Sequence, residues 1–149
     1  MAYAEETKVP LEKSIAEAVA LLRKHGATRI AQYEEPDSFQ IQFEMEDRQV
    51  RFKIGLMTEW SGSRTARNGH AINVKSKIEQ HNKQRGRALL LVIKAKLESI
   101  ESGVETFEQS FLAQIVTANG RTVHERIEEQ ISDEYRSGAV TPLLPHLRS

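Results

Sequence analysis

Residues 39–54 read FQIQFEMEDRQVRFKI, and this stretch decides the β part of the fold. In each half of the stretch, apolar side chains alternate with polar ones, which is typical of a strand with one buried face and one solvated face. The two halves are separated by Glu46-Asp47, and so short a connection predicts a tight reversal in an antiparallel hairpin. We expect the acids of the hairpin to pair with its arginines across the two strands. The residues concerned are Glu44, Glu46, Arg48 and Arg51.

On the amino-terminal side of the hairpin, the pattern predicts a helix and one further strand. Residues 11–25 (LEKSIAEAVALLRKH) carry apolar residues at helical spacing, with Pro10 in the first turn and Gly26 suited to end the helix. Thr28–Tyr33 predicts a strand, and a turn follows at residues 35–38. The sheet is therefore expected to have three antiparallel strands.

A loop and a long helix follow the hairpin. Residues 58–70 (TEWSGSRTARNGH) have no periodicity, and we call this segment the basic loop and expect it to be flexible. A long helix is predicted over about 72–101, with a polar and basic first half and a hydrophobic second half, ALLLVIKAKLESI, as the central core helix. Gly86 lies at the junction of the two halves and predicts a bend or a close contact.

The carboxyl-terminal third predicts two shorter helices. Each begins with a capping box, Thr106-x-x-Gln109 and Thr122-x-x-Glu125, with a turn at Ala118-Asn119-Gly120 between them. The tail, residues 140–149, is expected to cover an edge of the core. The sequence therefore predicts that residues 1–149 form a single α+β domain. It consists of an N-terminal helix, a three-stranded antiparallel sheet, a long central helix and two shorter C-terminal helices.

Charge is sorted along the chain, although 21 Lys and Arg balance 21 Asp and Glu. Residues 48–96 carry a net charge of +10, whereas residues 1–47 and 97–149 carry −5 each. Such asymmetry is typical of a protein with an anionic partner, and nucleic acid is the foremost candidate. Lys94 and Lys96 belong to the predicted core helix, and we expect Arg48 and Arg51 to have acidic partners within the hairpin. The cations that remain without neutralisation therefore lie mainly in the basic loop and the first half of the long helix, from Arg64 to Arg87.

The residues that carry most enzymatic chemistry do not occur in recognisable patterns. The chain has no cysteine, its five histidines are scattered, and no glycine-rich phosphate-binding motif is present. The sequence therefore predicts a protein that is not an enzyme and that holds no metal or cofactor. Its longest apolar run, Ala88–Ile93, is far too short to span a bilayer, so we expect no membrane partner.

Three explanations of the basic segment stay open from the residues alone. Nucleic acid, either DNA or RNA, is one, with phosphate contacts from the cations and base stacking on an aromatic ring. The acidic helix after Thr122 can instead dock on the basic helix, within one chain or between subunits of a homo-oligomer. An acidic host or phage protein is the third. The candidate nucleic-acid-binding residues are Trp60, Arg64, Arg67, Lys75, Lys77, Lys83, Arg85 and Arg87.

Four stretches together resemble a family of small uncharacterised proteins encoded by bacteriophages and prophages. They are YAEETKVP (3–10), LLRKHGATR (21–29), ALLLVIKAKLESIESG (88–103), and TFEQSFLAQIV (106–116) with GRTV (120–123). In that family the position of Gly86 is aromatic and the region 56–72 is variable. The resemblance implies an accessory protein in the cytoplasm of a bacterial host, one that modulates DNA metabolism or host defence. It implies no catalytic residues.

Overall fold

A computed structural model of the chain describes residues 3–144, with side chains from residue 11 onward. It has the α+β arrangement that the sequence predicts, namely a helix, a three-stranded sheet, a long helix and shorter C-terminal helices. The helices are α1 (Tyr3–Lys24), α2 (Val74–Glu101), α3 (Phe107–Phe111) and α4 (Val123–Ser137), with a 3₁₀ turn at Leu112–Gln114 after α3. The strands are β1 (Thr28–Glu35), β2 (Ser38–Met45) and β3 (Arg48–Gly55).

The sheet is an antiparallel meander in the order β1-β2-β3. Met45 pairs with Arg48 at the end of the β2–β3 hairpin, so the connection is the two-residue reversal that the sequence predicts. Glu46 and Asp47 both have positive φ angles, of 51° and 58°, as a type I′ turn requires. This turn matches the right-handed twist of the two strands and fixes their register.

A short extension beyond β3 was not apparent from the sequence. Ile115 forms an isolated bridge with Val50, and the Val116 backbone N–H donates to the Gln49 carbonyl at 2.7 Å. Val116 in turn bridges Thr122, which closes a small hairpin whose turn contains the predicted Ala118-Asn119-Gly120. The chain after α3 therefore pairs with the outer edge of β3 at Gln49 and Val50 and places the start of α4 beside the sheet.

Buried residues from α1, the sheet, α2 and α3 form one core. Phe43 and Phe52 stack with ring centroids 6.5 Å apart, and Phe111 packs edge-on against both. Gly86 lies where α2 packs against α1. A Cβ atom added at Gly86 would come within 2.7 Å of Leu11 Cδ1, so the two helices approach closely at this point. The predicted close contact at Gly86 is thus present.

Two predictions about helices were wrong in part. The first helix begins at Tyr3, before Pro10, because alanine, glutamate and lysine in the preceding segment favour helix. The second half of α2 is buried on one face only, through Leu89, Ile93 and Leu97. Leu91 is 61% exposed and Val92, which we expected in the core, is 44% exposed.

The two arginines of the hairpin do not pair with its own acids. Arg48 pairs with Glu108 at 2.8 Å and Arg51 with Glu125 at 2.9 Å. Glu44 instead pairs with Arg29 of β1, with 3.7 Å between Glu44 Oε1 and Arg29 Nη1. Glu108 of α3 and Glu125 of α4 therefore neutralise the two arginines, which we expected to pair with Glu44 and Glu46.

The carboxyl-terminal tail does not cover the core edge where it is described. Leu143 and Leu144 are 41% and 44% exposed, and Val140 is 92% exposed. The rest of that predicted segment, residues 145–149, lies outside the described residues.

Candidate nucleic-acid interface

The segment between β3 and α2 is tied to α2 by one asparagine. Asn82 accepts a hydrogen bond from the Met57 backbone N–H at 2.8 Å and donates to the Met57 carbonyl at 3.1 Å. One side-chain amide thus satisfies both backbone groups of Met57, as a neighbouring strand would. The segment leaves the sheet in a fixed direction as a result.

The basic loop contains a small hairpin, although its sequence has no periodicity. The Ile72 N–H donates to the Arg64 carbonyl at 2.9 Å, and the Ala66 N–H donates to the His70 carbonyl at 2.8 Å. Gly69 takes a φ of +83° in the turn between them, a conformation that favours glycine. The exposed side chains of Arg64 and Arg67 lie on this hairpin.

Trp60 packs within its own loop. Its indole N–H donates to the Ser63 carbonyl at 3.0 Å, and its six-membered ring lies so close to Gly62 that a Cβ atom there would come within 2.5 Å of the ring. The indole is only half-buried. Its expected role as a stacking platform stays a prediction.

Four of the five candidate cations of α2 flank its solvent-facing side. Lys77 and Arg85 are eight residues apart with His81 between them, so they follow one row of the helix surface. Arg85 Nε donates to His81 Nε2 at 3.3 Å within that row. Lys83 and Arg87 are four residues apart and form a second row. All four cations are exposed.

Lys75 is set apart from these two rows. It is half-buried and stands seven residues before Asn82, on the side of α2 that turns toward the rest of the domain. Asn73 caps the start of the helix beside it, because its side chain accepts from the Ser76 N–H at 3.1 Å. The structure therefore places Lys75 away from the other candidate cations of α2.

The candidate cations differ in their partners from the two arginines of β3. Arg48 and Arg51 are paired with carboxylates, as described above. Within the described side chains, residues 11–144, no ion pair neutralises the exposed cations between residues 64 and 87. These cations are Arg64, Arg67, Lys77, Lys83, Arg85 and Arg87.

The acidic helix α4 does not neutralise this surface within the chain. Glu125 pairs with Arg51, and Asp133 pairs with Arg136 of α4 itself. A hydrogen bond from the Thr122 backbone N–H and one from Arg51 lower the pKa of Glu125 to about 2. Among the described side chains, none of the acids of α4 forms an ion pair with a cation of α2.

Comparison with known protein families, with characterised proteins and with solved structures finds no match to this chain. The resemblance to phage-encoded proteins therefore stays a prediction. In the part of the chain that the structure describes, no helix has the length and apolarity to cross a bilayer. No three His, Asp or Glu side chains within that part converge on a point where they could hold a metal ion.

Sequence reasoning missed Asn82, which positions the basic loop. A signal was present, because asparagine is disfavoured within helices unless its side chain has a partner. Asn82 stands near the middle of a long predicted helix, between residues that favour helix. Asn82 was therefore a candidate for a side chain that holds another segment of backbone.

Proposed function

We propose that this protein binds nucleic acid through the basic loop and the solvent-facing side of the first half of α2. It acts without catalysis, as a phage accessory protein in the cytosol of a bacterial host, where it modulates DNA metabolism or host defence. The observation that carries the proposal is the set of six exposed cations between Arg64 and Arg87 that no described carboxylate neutralises. The phage setting rests on the sequence resemblance alone.

The arrangement of the cations suits a phosphate backbone. Two rows of cations flank one side of α2, and the hairpin of the basic loop adds Arg64 and Arg67 close in sequence to the start of that helix. Each phosphate contact releases condensed counterions, and this release supplies affinity that does not depend on base sequence. We therefore expect binding with little sequence preference and a steep dependence on salt.

Fluorescence anisotropy with dye-labelled oligonucleotides tests the proposal. Single-stranded DNA, single-stranded RNA and duplex DNA are each titrated at about 50 and about 200 mM salt. If the protein makes four phosphate contacts, the rise in salt over that range should weaken its binding to duplex DNA about a hundredfold. Trp60 is the only tryptophan of the chain, so its emission reports independently on a ligand near the basic loop.

Paired substitutions locate the surface. Arg64→Ala/Arg67→Ala and Lys83→Ala/Arg87→Ala should each lower the salt slope by roughly one per lost contact. The control Arg23→Ala/Lys24→Ala removes the same charge from exposed positions at the end of α1 and should leave the slope unchanged. The proposal is contradicted if the protein does not bind any of the oligonucleotides or if its affinity does not depend on salt concentration. It is also contradicted if the affinity falls equally in all three variants.

An acidic protein partner is the alternative that the same cations favour. Pull-down from bacterial lysate separates the two, because nuclease treatment removes a nucleic-acid-mediated complex and leaves a direct protein complex intact. The Lys83→Ala/Arg87→Ala variant should lose either partner, so the nuclease step decides between them.

A further inference from the structure

The solvent-facing side of the second half of α2 carries an apolar stripe. Its members are spaced i, i+3, i+4 and i+7, which places them on one helix face opposite Leu89, Ile93 and Leu97. All four are exposed: Ala88, Leu91, Val92 and Ala95. Arg87 and Lys94 border this outer stripe on one side and Arg85 borders it on the other, at exposed positions.

Helix α4 carries a second apolar row that its own chain leaves partly bare. Val123, Ile127, Ile131 and Tyr135 follow one another at intervals of four residues. The first two are half-buried, but Ile131 is 39% exposed and Tyr135 is 89% exposed. Glu128 and Glu134 border the row on its two sides, and neither forms an ion pair among the described side chains.

We propose that α4 of one copy docks on the outer stripe of α2 of a second copy, so that the protein self-associates. The two surfaces are complementary, because each is an apolar row, the border of the α2 stripe is basic apart from Glu98 at its far end, and the border of the α4 row is acidic on both sides of Ile131. Burial of both rows removes apolar surface from water, and the charged borders select the pairing of unlike helices. Parallel pairing of α2 with α2 would bring arginines together and is disfavoured. Antiparallel pairing of α2 with α2 would place Arg85 level with Glu98 and is the competing arrangement that charge reversal on α4 separates.

The docking is intermolecular because each chain holds its own α4 elsewhere. The Arg51–Glu125 pair fixes the start of α4 beside β3, and α4 packs on the 3₁₀ turn at Leu112–Gln114. A two-fold axis would let each copy give its α4 and receive its partner's, so that both contacts form twice in a closed dimer. This inference does not rest on nucleic-acid binding, because its evidence is the two apolar rows; the two proposals share Arg85 and Arg87, and the stripe itself lies beyond Arg87 on α2.

Sedimentation velocity of the full chain from about 1 to about 500 µM tests the proposal. The wild type should form dimers, and Leu91→Ser/Val92→Ser should raise the dimer dissociation constant at least about tenfold. Tyr135→Ser should do the same from the other helix. These positions are exposed, so circular dichroism should show that each variant stays folded. Val104→Ser is the matched control, because Val104 is 76% exposed but lies outside both rows.

Charge reversal identifies which helices meet. Arg85→Glu/Arg87→Glu and Glu128→Lys/Glu134→Lys should each fail to self-associate, and an equimolar mixture of the two should form dimers. Three outcomes overturn the proposal: a wild type that stays monomeric, a Glu128→Lys/Glu134→Lys variant that still dimerises, or a mixture of the two reversed variants that stays monomeric. The second would indicate that α2 pairs with α2. Nucleic-acid binding by a monomeric wild type would leave the proposed function standing while this inference fails.

Discussion

Arg51 of β3 donates to Glu125 of α4 at 2.9 Å, and this ion pair joins the sheet to the first turn of the acidic helix. The same carboxylate accepts from the Thr122 N–H at 3.0 Å in the capping box that starts α4. Glu125 therefore makes two contacts at once: it completes the capping box with Thr122, and it neutralises Arg51. Arg51 is unlike the exposed cations of the basic loop for this reason.

The lowered pKa of Glu125 predicts a loss of stability in acid. The Thr122 backbone hydrogen bond and then Arg51 bring this pKa from 4.5 to about 2 in the folded state. A depressed carboxyl pKa contributes stability above the unfolded value, which is lost as pH falls from about 5 to about 2. Since the side chain is 44% exposed, solvent screening limits the contribution to about 1 kcal/mol.

Glu125→Gln tests this contribution without removing the capping box, because glutamine also accepts from the Thr122 N–H. The free energy of unfolding at pH 7 should fall by about 1 kcal/mol, and the difference from wild type should vanish near pH 2. Urea denaturation at several pH values measures both. Glu129→Gln, at an exposed position on the same helix, is the control. A difference that is constant across the pH range would contradict the assignment.

The β2–β3 turn holds two residues in a conformation that costs energy. Glu46 and Asp47 have φ angles of 51° and 58°, a region that glycine and asparagine adopt far more readily. Glu46→Asn/Asp47→Gly should therefore raise the free energy of unfolding by about 1 kcal/mol. Thermal denaturation measures the change. Asp37→Gly in the β1–β2 turn has no positive φ to relieve, so that control should gain nothing.

Gly86 lies at the contact between α2 and α1. A methyl group there would meet the buried side chain of Leu11, at a cost of about 2 kcal/mol, whereas the gain in helix propensity is about 1 kcal/mol. We expect Gly86→Ala to lower the free energy of unfolding by about 1 kcal/mol. The difference between Gln84→Ala and Gln84→Gly, at an exposed position of the same helix outside the outer stripe, measures the propensity contribution alone. If Gly86→Ala is stabilising by the full propensity gain, the contact with Leu11 imposes no constraint.

Local patterns predicted those parts of the fold that depend on neighbours in sequence. Both capping boxes form as expected, and Gly26 and Gly138 take the left-handed conformation near the ends of α1 and α4. The alternation in β2 was equally reliable, because Phe39, Ile41, Phe43 and Met45 are all buried. Each of these features is decided within a few residues.

Long-range partners could not be predicted in the same way. Arg48 and Arg51 pair with acids 60 and 74 residues away, and no local pattern favours those acids over Glu44 or Glu46. The run from Ala88 to Ile93 is apolar all round, which is typical of a helix buried on every side. Other elements cover α2 on one face only, so Leu91 and Val92 remain in solvent. Which side of α2 faces solvent, and therefore which of its cations are exposed, depends on how the elements pack against one another in the folded domain.

Asn82 connects the fold to the candidate interface, so its removal should affect both. Asn82→Ala leaves the Met57 N–H and carbonyl without their side-chain partner, and we expect a loss of about 2 kcal/mol in the free energy of unfolding. Hydrogen exchange should become faster at Met57 and in the hairpin from Arg64 to Ile72, since the direction of the loop is no longer fixed. Gln84→Ala is the control two residues away, at an exposed position of the same helix.

The effect on binding separates an ordered site from a simple cluster of charge. Asn82→Ala removes no cation, so counterion release is unchanged and the salt slope should stay as in the wild type. If the loop must be held in place for Arg64 and Arg67 to contact phosphate, the affinity should nevertheless fall, because binding then has to order the loop. An affinity equal to that of the wild type would show that charge alone is sufficient and that the position of the loop does not matter.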